Sequence, residues 1–267
     1  MKIEIYTSVS GSIFWKGLAR ALVARGFSVE VISVMDEDKY RSQKTFLKNF
    51  LSRLNLYAGM SLRTLRQLRQ KVDQPICRIV TTNPFFLPDL VQRKTPSDAQ
   101  VRVVNFVLDL YPEAMELAGR RLGLKARQKL EAVTSRAIRN CDASVFLGTY
   151  LQEYAINKYG PAMETAIIPV GADAQPFAKN LPQNTPASNS IRFLYCGHIG
   201  RMHEVDTLVQ FGRDKPIMGC EWLFHSTGPG IKPLKRSWFQ LSGPLSQLEW
   251  PVAMKAAQVG VVTIRPG

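Results

Sequence analysis

The sequence is poor in the residues from which metal centres and cross-links are built. It holds three histidines and four cysteines in 267 residues. Cys77, Cys141, Cys196 and Cys220 lie far apart with no CxxC pair, and of the histidines only His198 and His203 are close together. This argues against a structural zinc or a His-metal centre and fits a reduced, cytosolic setting. No apolar run approaches the length of a membrane span. The amino terminus, MKIEIYTSVSGS, alternates polar with apolar residues, as a first strand does and a signal peptide does not. Internal repeats and low-complexity tracts are absent as well.

Acidic residues are missing from one long stretch. Between Arg41 and Val72 there are eight basic residues and no acid, and this segment supplies most of the +9 carried by the first 175 residues. The whole chain is at +14, with +4 in residues 190–267. Such a block implies an anionic partner: lipid headgroups, nucleic acid or a phosphorylated substrate. The stretch reads as helical, in more than one piece because Gly59 interrupts it. On a helical wheel Leu47, Phe50, Leu51, Leu54 and Ala58 share one arc. Arg41, Lys44 and Lys48 lie beside or across from it, and Arg53 flanks its far side. That is the layout of a helix in a membrane interface, and equally of a surface helix packed on a sheet with a solvated basic face; the lack of acids favours the membrane. Cations interleaved with Leu and Phe, without an aromatic stacking platform, argue against nucleic acid.

What is present is a repeated strand–turn–helix pattern. Strand 2–6, the small polar turn Ser8–Ser12, a helix through Phe14 to Val23 and strand 27–33 form a first β-α-β unit. SxSGS is not GxGxxG, and no acid closes the second strand, which argues against NAD. Strand 76–82 runs into the Thr82-Asn83-Pro84 loop. The apolar strand 101–108 ends in Asp109-Leu110-Tyr111-Pro112-Glu113, where Pro112 suits the start of a helix and Glu113 its first turn. Asp109 thus stands at the carboxyl end of a central strand, where open α/β sheets hold ligands; a helix-capping aspartate is the plainer reading. Further elements follow at 125–139, 143–147, 151–155 and 165–169, and 178–190 (AKNLPQNTPASNS) reads as a linker. Beyond it, IRFLYCGHIGRMHEVDTLV reads as strand, glycine turn and helix. That arrangement can present backbone N–H groups to an anion, although any βα turn can need glycine. Strand 220–226, the turn Thr227-Gly228-Pro229-Gly230, an apolar strand near 238–241, a helix near 248–257 and strand 260–264 complete the chain.

In this order the motifs resemble a glycosyltransferase of the GT-B fold in retaining family 4, of the bacterial capsule, O-antigen and colanic acid type. VLDLYPEAMELAG resembles its D-L-W-P-E-A segment, and CDASVFLGTYLQEYAINKYG its A-D-x-V strand and helix. IIPVGAD resembles I-P-N-G-V-D, FLYCGHIGRMHEVDTLV resembles Y-A-G-N-x-G-x-x-x-G-L-D-T-L, and LFHSTGPG and VGVVTIRPG resemble later strands. The resemblance implies two Rossmann-like domains: an acceptor-side domain at 1–177, the linker 178–190, and a nucleotide-sugar domain at 191–267. It implies transfer of a sugar, with retention, from a nucleotide sugar to a lipid-linked polyprenyl-diphosphate saccharide in envelope polysaccharide synthesis. The chemistry lies in the cleft between the domains, needs no metal or other cofactor, and takes place on the inner face of the plasma membrane. Asp109 and Glu113 are the catalytic candidates. Gly197, Gly200, Arg201, His203, Gly228 and Gly230 are the donor candidates, with Arg201 either facing the leaving diphosphate or solvated at a helix start. Ser10, Gly11, Ser12 and Asn83 are the acceptor-side loop, and Arg41, Lys44, Lys48 and Arg53 the membrane contacts.

The departures are specific. His198 stands where the wider family has Arg, His203 where it has Lys and Glu204 where it has Gly; an acid there would repel a diphosphate if it faced the cleft. Asp109 stands where many members have His. A Rossmann-like domain of ordinary size needs roughly 150 residues, whereas 190–267 supplies 78. The donor-closing P-S-K loop and E…M-A-A-G helix are not found, so the second domain is expected to be incomplete. An inactive remnant that keeps membrane or acceptor binding is the alternative function.

Overall fold

The computed structural model describes residues 1–8, 13–34, 46–70, 73–96, 100–169, 171, 190–200, 202–214, 216–246 and 249–263, with the backbone alone at 13 and 46–53. The chain divides into two compact units, one of Met1–Ala114 with Leu122–Ala172, the other of Met115–Arg121 with Asp173–Gly267. Both are α/β with all-parallel sheets, the Rossmann-like architecture expected from the sequence.

The first unit holds β1 (Lys2–Tyr6), α1 (Ile13–Val23), β2 (Ser28–Ile32), α2 (Phe46–Leu68), β3 (Ile76–Thr81), α3 (Leu87–Lys94), β4 (Val101–Val107), the first two residues of α4 (Glu113–Leu117), α5 (Leu124–Asn140), β5 (Ala143–Phe146), α6 (Thr149–Tyr159) and β6 (Thr165–Ile167). Its strands run in the order β2-β1-β3-β4-β5-β6. Alternate residues of each strand feed opposite faces. Ile3, Ile5, Val31, Phe106 and Val145 pack with Phe14, Trp15 and Leu18 of α1 on one face. On the other, Tyr6, Val80 and Val103 meet Met60 and Leu68 of α2 and Leu87 and Val91 of α3. Val107 and Phe146 meet Ile138 of α5 and Ala155 and Tyr159 of α6 on that same side.

Two positions differ from expectation. Helix α2 is one continuous element through Gly59, not two pieces. A glycine costs a helix interior about 1 kcal/mol, and burial of Leu56, Met60 and Leu68 on the sheet outweighs it. Helix α3 was not anticipated; Pro88 in its first turn and Asp89 behind it are the signals that mark it.

The apolar layer between the sheet and α2 contains a polar knot. The β1/β3 register pairs Glu4 with Arg78, and both are essentially inaccessible, at 2% and 1% exposure. Arg78 Nε lies 3.1 Å from Glu4 Oε2, and its Nη1 donates to Thr95 Oγ1 at 2.8 Å. The Glu4 carboxylate also accepts from Tyr6 Oη at 2.7 Å, Gln67 Nε2 at 3.1 Å and Lys2 Nζ at 3.0 Å. Burial alone would raise this carboxyl. The hydrogen bonds from Tyr6, Gln67 and Lys2 and the Arg78 charge together hold it below the ordinary range. A second buried acid, Asp89, is gripped at 3.0 and 3.1 Å by the Arg136 fork and at 3.1 Å by Arg93, tying α3 to α5.

The second unit holds β7 (Ile191–His198), α7 (Asp206–Phe211), β8 (Cys220–Thr227), α8 (Ile231–Leu234), β9 (Gln240–Ser242), α9 (Glu249–Ala256) and β10 (Val259–Gly260), with sheet order β10-β7-β8-β9. Its core is aromatic. Tyr195, Phe224 and Phe239 are buried and flanked by Phe211, Trp222 and Trp238, and Phe193 stacks on Trp222 with centroids 4.4 Å apart. The last strand is shorter than expected, two residues, and Ile264 lies outside the described residues.

Replacing Arg78 by Met removes the buried countercharge of Glu4 and leaves only the more exposed Lys2; it is expected to cost about 3 kcal/mol at neutral pH by chemical denaturation. A carboxyl whose folded pKa is depressed contributes stability above its unfolded value and loses it as pH falls. The gap between wild type and Arg78→Met should therefore narrow as the pH drops below the ordinary glutamate value, about 4.3.

Candidate functional site

In each unit the crossovers reverse direction at one place, between β1 and β3 in the first and between β7 and β10 in the second. Open α/β sheets take ligands at the carboxyl ends of strands beside such a reversal.

In the first unit the loop after β1 is fixed by Thr7 N–H donating to Ile32 O and Ser8 N–H donating to Asn83 O, both at 3.1 Å. Ser8 is fully buried, yet its Oγ has no hydrogen-bond partner among the described residues. Ser10, Gly11 and Ser12 lie outside the described residues. Asn83 is present at the rim, where its backbone carbonyl holds Ser8. Thr82, at the end of β3, accepts the backbone N–H of both Leu108 and Asp109 on its Oγ1, each at 3.1 Å. Further along, Tyr111 O accepts from Thr134 Oγ1 at 2.7 Å. The strand-end segment 108–113 is thus clamped from β3 and from α5.

Within that clamp the two candidate carboxylates behave differently. Glu113 is saturated: Lys158 Nζ and Tyr159 Oη each lie 2.6 Å from Oε1, and Tyr154 Oη lies 3.0 Å away. Burial would raise its carboxyl, and the hydrogen bonds from Lys158 and Tyr159 outweigh that and hold it below the ordinary range. This geometry makes Glu113 an anchor of α4 to α6. The Asp109 carboxylate has no partner among the described residues, and burial pushes it above the ordinary range. By area the residue is nonetheless open to solvent. No N–H of α4 reaches Asp109, so it does not cap that helix. Thr82 carries no sequence motif, and only its position at a strand end beside Asp109 could have drawn attention to it.

In the second unit the turn after β7 is locked from within. Gly200 N–H lies 3.1 Å from His203 Nδ1 and 3.2 Å from His198 O, and His203 N–H donates to Gly200 O at 3.3 Å. Ile199 N–H donates to Thr227 O at 2.8 Å. The Gly200 and His203 amides are therefore engaged inside the turn and that of Ile199 is taken by Thr227, so these three are not presented to an anion, contrary to the expectation for a glycine turn. His203 accepts on Nδ1, which places its proton on Nε2. His198 Nδ1 lies 3.2 Å from Thr227 Oγ1. Glu204 caps α7, its carboxylate accepting Thr207 N–H at 3.1 Å, which offsets part of the charge that would repel an anion. Gly228 and Gly230 are where the next loop meets Ile199: a Cβ at either would run into Ile199 atoms, and Gly228 has φ +107°. Their first role is close backbone approach. Arg201 lies outside the described residues. Among the described residues no group of three or more His, Cys, Asp or Glu side chains could hold a metal ion.

No protein-family model and no curated protein matches this chain. Solved structures do. An apo structure of OtsA superposes with a TM-score of 0.64 at 11% identity, over 99% of this chain and 78% of that one. A trehalose-6-phosphate protein from E. coli bound with UDP-2-fluoro glucose gives 0.60 at 12%, over 99% and 78%. Sucrose-phosphate synthase from Thermosynechococcus elongatus gives 0.58 at 14%, over 97% and 74%. The chain shares their two-unit fold. Identities this low establish the fold alone.

Two substitutions probe these loops. Thr82→Val strands the Leu108 and Asp109 amides and is expected to cost about 1–3 kcal/mol in denaturant unfolding, with Thr82→Ser near wild type. Gly228→Ala forces a side chain into Ile199 at positive φ and should lower soluble yield or thermal midpoint more than Gly243→Ala, where a Cβ meets open space.

Proposed function

We propose that this protein is a glycosyltransferase that moves a sugar from a nucleotide-sugar donor to an acceptor hydroxyl. The observation that carries the proposal is Asp109: an unpartnered carboxylate, raised by burial, on a backbone segment clamped by Thr82 and Thr134 at the carboxyl end of a central strand. A perturbed, positioned carboxylate at such a place is a candidate for chemistry. The shared fold with a protein bound with UDP-2-fluoro glucose supports a nucleotide-sugar donor.

In this reading the donor lies along the turns of the second unit, against Gly197, Gly200, His203, Gly228 and Gly230, with Arg201 facing the diphosphate as it leaves. The acceptor lies in the first unit, its hydroxyl donating to Asp109, and Ser8 Oγ and the Asn83 loop complete its surroundings. In this reading metal is not required, since the Arg201 side chain carries the charge of the leaving diphosphate. The motifs of the sequence favour retention and a lipid-linked saccharide acceptor in envelope polysaccharide synthesis.

Residence at the membrane supports the same acceptor. No described helix is long and apolar enough to cross a bilayer, so attachment would be peripheral. Helix α2 buries Leu56, Met60 and Leu68 and yet leaves Leu54 and Leu62 at 50% and 59% exposure on its outer side. Ala58 is exposed on that side too, and the side chains of Leu47, Phe50 and Leu51 lie outside the described residues. The side chains of Lys48 and Arg53, and Arg41 and Lys44 altogether, lie outside the described residues. A sugar-phosphate acceptor is the second reading, favoured by the likeness to a sucrose-phosphate synthase.

The test is transfer from a panel of nucleotide sugars to polyprenyl-diphosphate saccharides and, in parallel, to hexose phosphates. Turnover is expected with a lipid-linked acceptor and should fall about 100-fold or more in Asp109→Asn. Because the Asp109 carboxylate has no partner among the described residues to lose, that variant should keep the thermal midpoint at pH 7, separating lost chemistry from lost fold. Absence of donor binding by calorimetry, of turnover and of donor hydrolysis with every sugar overturns the reading and leaves an inactive remnant.

A further inference from the structure

Helices α2, α3 and α5 lie side by side on one face of the first unit's sheet, and their outward sides share a charge sign. On α5, Lys125, Lys129, Ala132, Arg136 and Arg139 fall within an arc of about 80°, at ~100° per residue, and all five are exposed. Thr134, Ala137 and Ile138 form the opposite, buried side. On α2 and the turn after it, the exposed residues opposite Leu56, Met60 and Leu68 include Leu54, Leu62, Arg66 and Arg69. Lys94 is exposed at the end of α3 between them. Of these cations, Arg66, Arg69, Lys94, Lys125, Lys129 and Arg139 form no ion pair among the described residues, whereas Arg136 is committed to Asp89.

Most acids beside this layer are buried, shared or remote; Asp73, exposed four residues past Arg69, stands at its edge. Helix α2 has none, Asp89 is buried at 2% exposure, and Glu131 is shared by Arg127 and Lys158. Glu153 is exposed on α6 and marks the edge of the basic surface. Apolar side chains stand among the cations: Leu54, Leu62 and, at the start of α5, Leu124 at 70% exposure. Cations with isolated leucines and no exposed aromatic among these helices' described residues match a lipid interface better than a strand of bases.

We infer that the protein docks on anionic lipid through the whole α2–α3–α5 layer, with the Lys125/Lys129/Arg139 stripe as a second contact beside α2. The inference rests on the membrane residence proposed above. Two separated contacts fix the orientation of the unit on the surface, which a single helix lying in the interface does not.

The test is flotation of the full chain with phosphatidylcholine vesicles prepared with and without phosphatidylglycerol. Lys125→Glu, Lys129→Glu and Arg139→Glu together should lower partitioning onto the anionic vesicles about tenfold or more, leave neutral-vesicle binding unchanged and keep the thermal midpoint. The corresponding glutamine triple, which adds no acid, should lower it by less in the same direction and serves if the glutamate variant does not fold. An unchanged α5 variant beside a weakened Arg66→Glu, Arg69→Glu variant overturns the second contact and leaves docking by α2. Wild type that does not bind anionic vesicles overturns both. Tighter retention on oligonucleotides than on vesicles at equal salt overturns the lipid assignment.

Discussion

The buried pair of Glu4 and Arg78 is the constraint from which the first unit is built. Two opposite charges inside an apolar layer tolerate one another only in direct contact with their remaining hydrogen bonds filled. Here the contact is made across β1 and β3 in register, and the filling comes from Tyr6, Gln67, Lys2 and Thr95. A slip of one residue would send Glu4 to the α1 face and strand Arg78. The pair therefore fixes the alignment of the two strands whose carboxyl ends flank the reversal of the sheet, and Gln67 ties α2 to the same point.

At those ends, loops hold loops. Ser8 is tied to Asn83, and Thr82 to Leu108 and Asp109, so the position of the Asp109 carboxylate is set by a neighbouring strand rather than by its own. The same economy governs the second unit, where Gly200 is held by His203 and the Gly228–Gly230 turn rests on Ile199. The consequences differ. In the first unit the clamping leaves one carboxylate free and raised. In the second it consumes described amides that an anion would otherwise use, which shifts the expected diphosphate contact toward side chains such as Arg201.

The charge of the chain follows the layering of the first unit. Among the described residues the sheet has α1 on one face and α2, α3, α5 and α6 on the other, and the outside of the second group carries a row of exposed cations, Arg66, Arg69, Lys94, Lys125, Lys129 and Arg139. With the nearby acid Asp89 buried, that surface is basic.

Much of this was legible in the residues. Apolar runs at 101–108 and 191–196, and 3.6-residue periodicity at 14–23 and 125–139, determined the strands, the helices and the alternating α/β pattern, because burial on a sheet demands those periods. Asp109 stood out for the same reason, an acid at the end of an apolar strand. The fate of Glu113 was not legible: its partners Tyr154, Lys158 and Tyr159 arrive from more than 40 residues away, and only the packing of α6 against the strand-end segment turns a candidate acid into an anchor. Nor could the sequence disclose that Gly59 is spanned by a continuous helix, that Thr82 holds Asp109, or that the α5 cations lie beside those of α2. Local pattern is set by which face a residue must bury; which charges meet, and which are left unmet, is decided only when the elements pack.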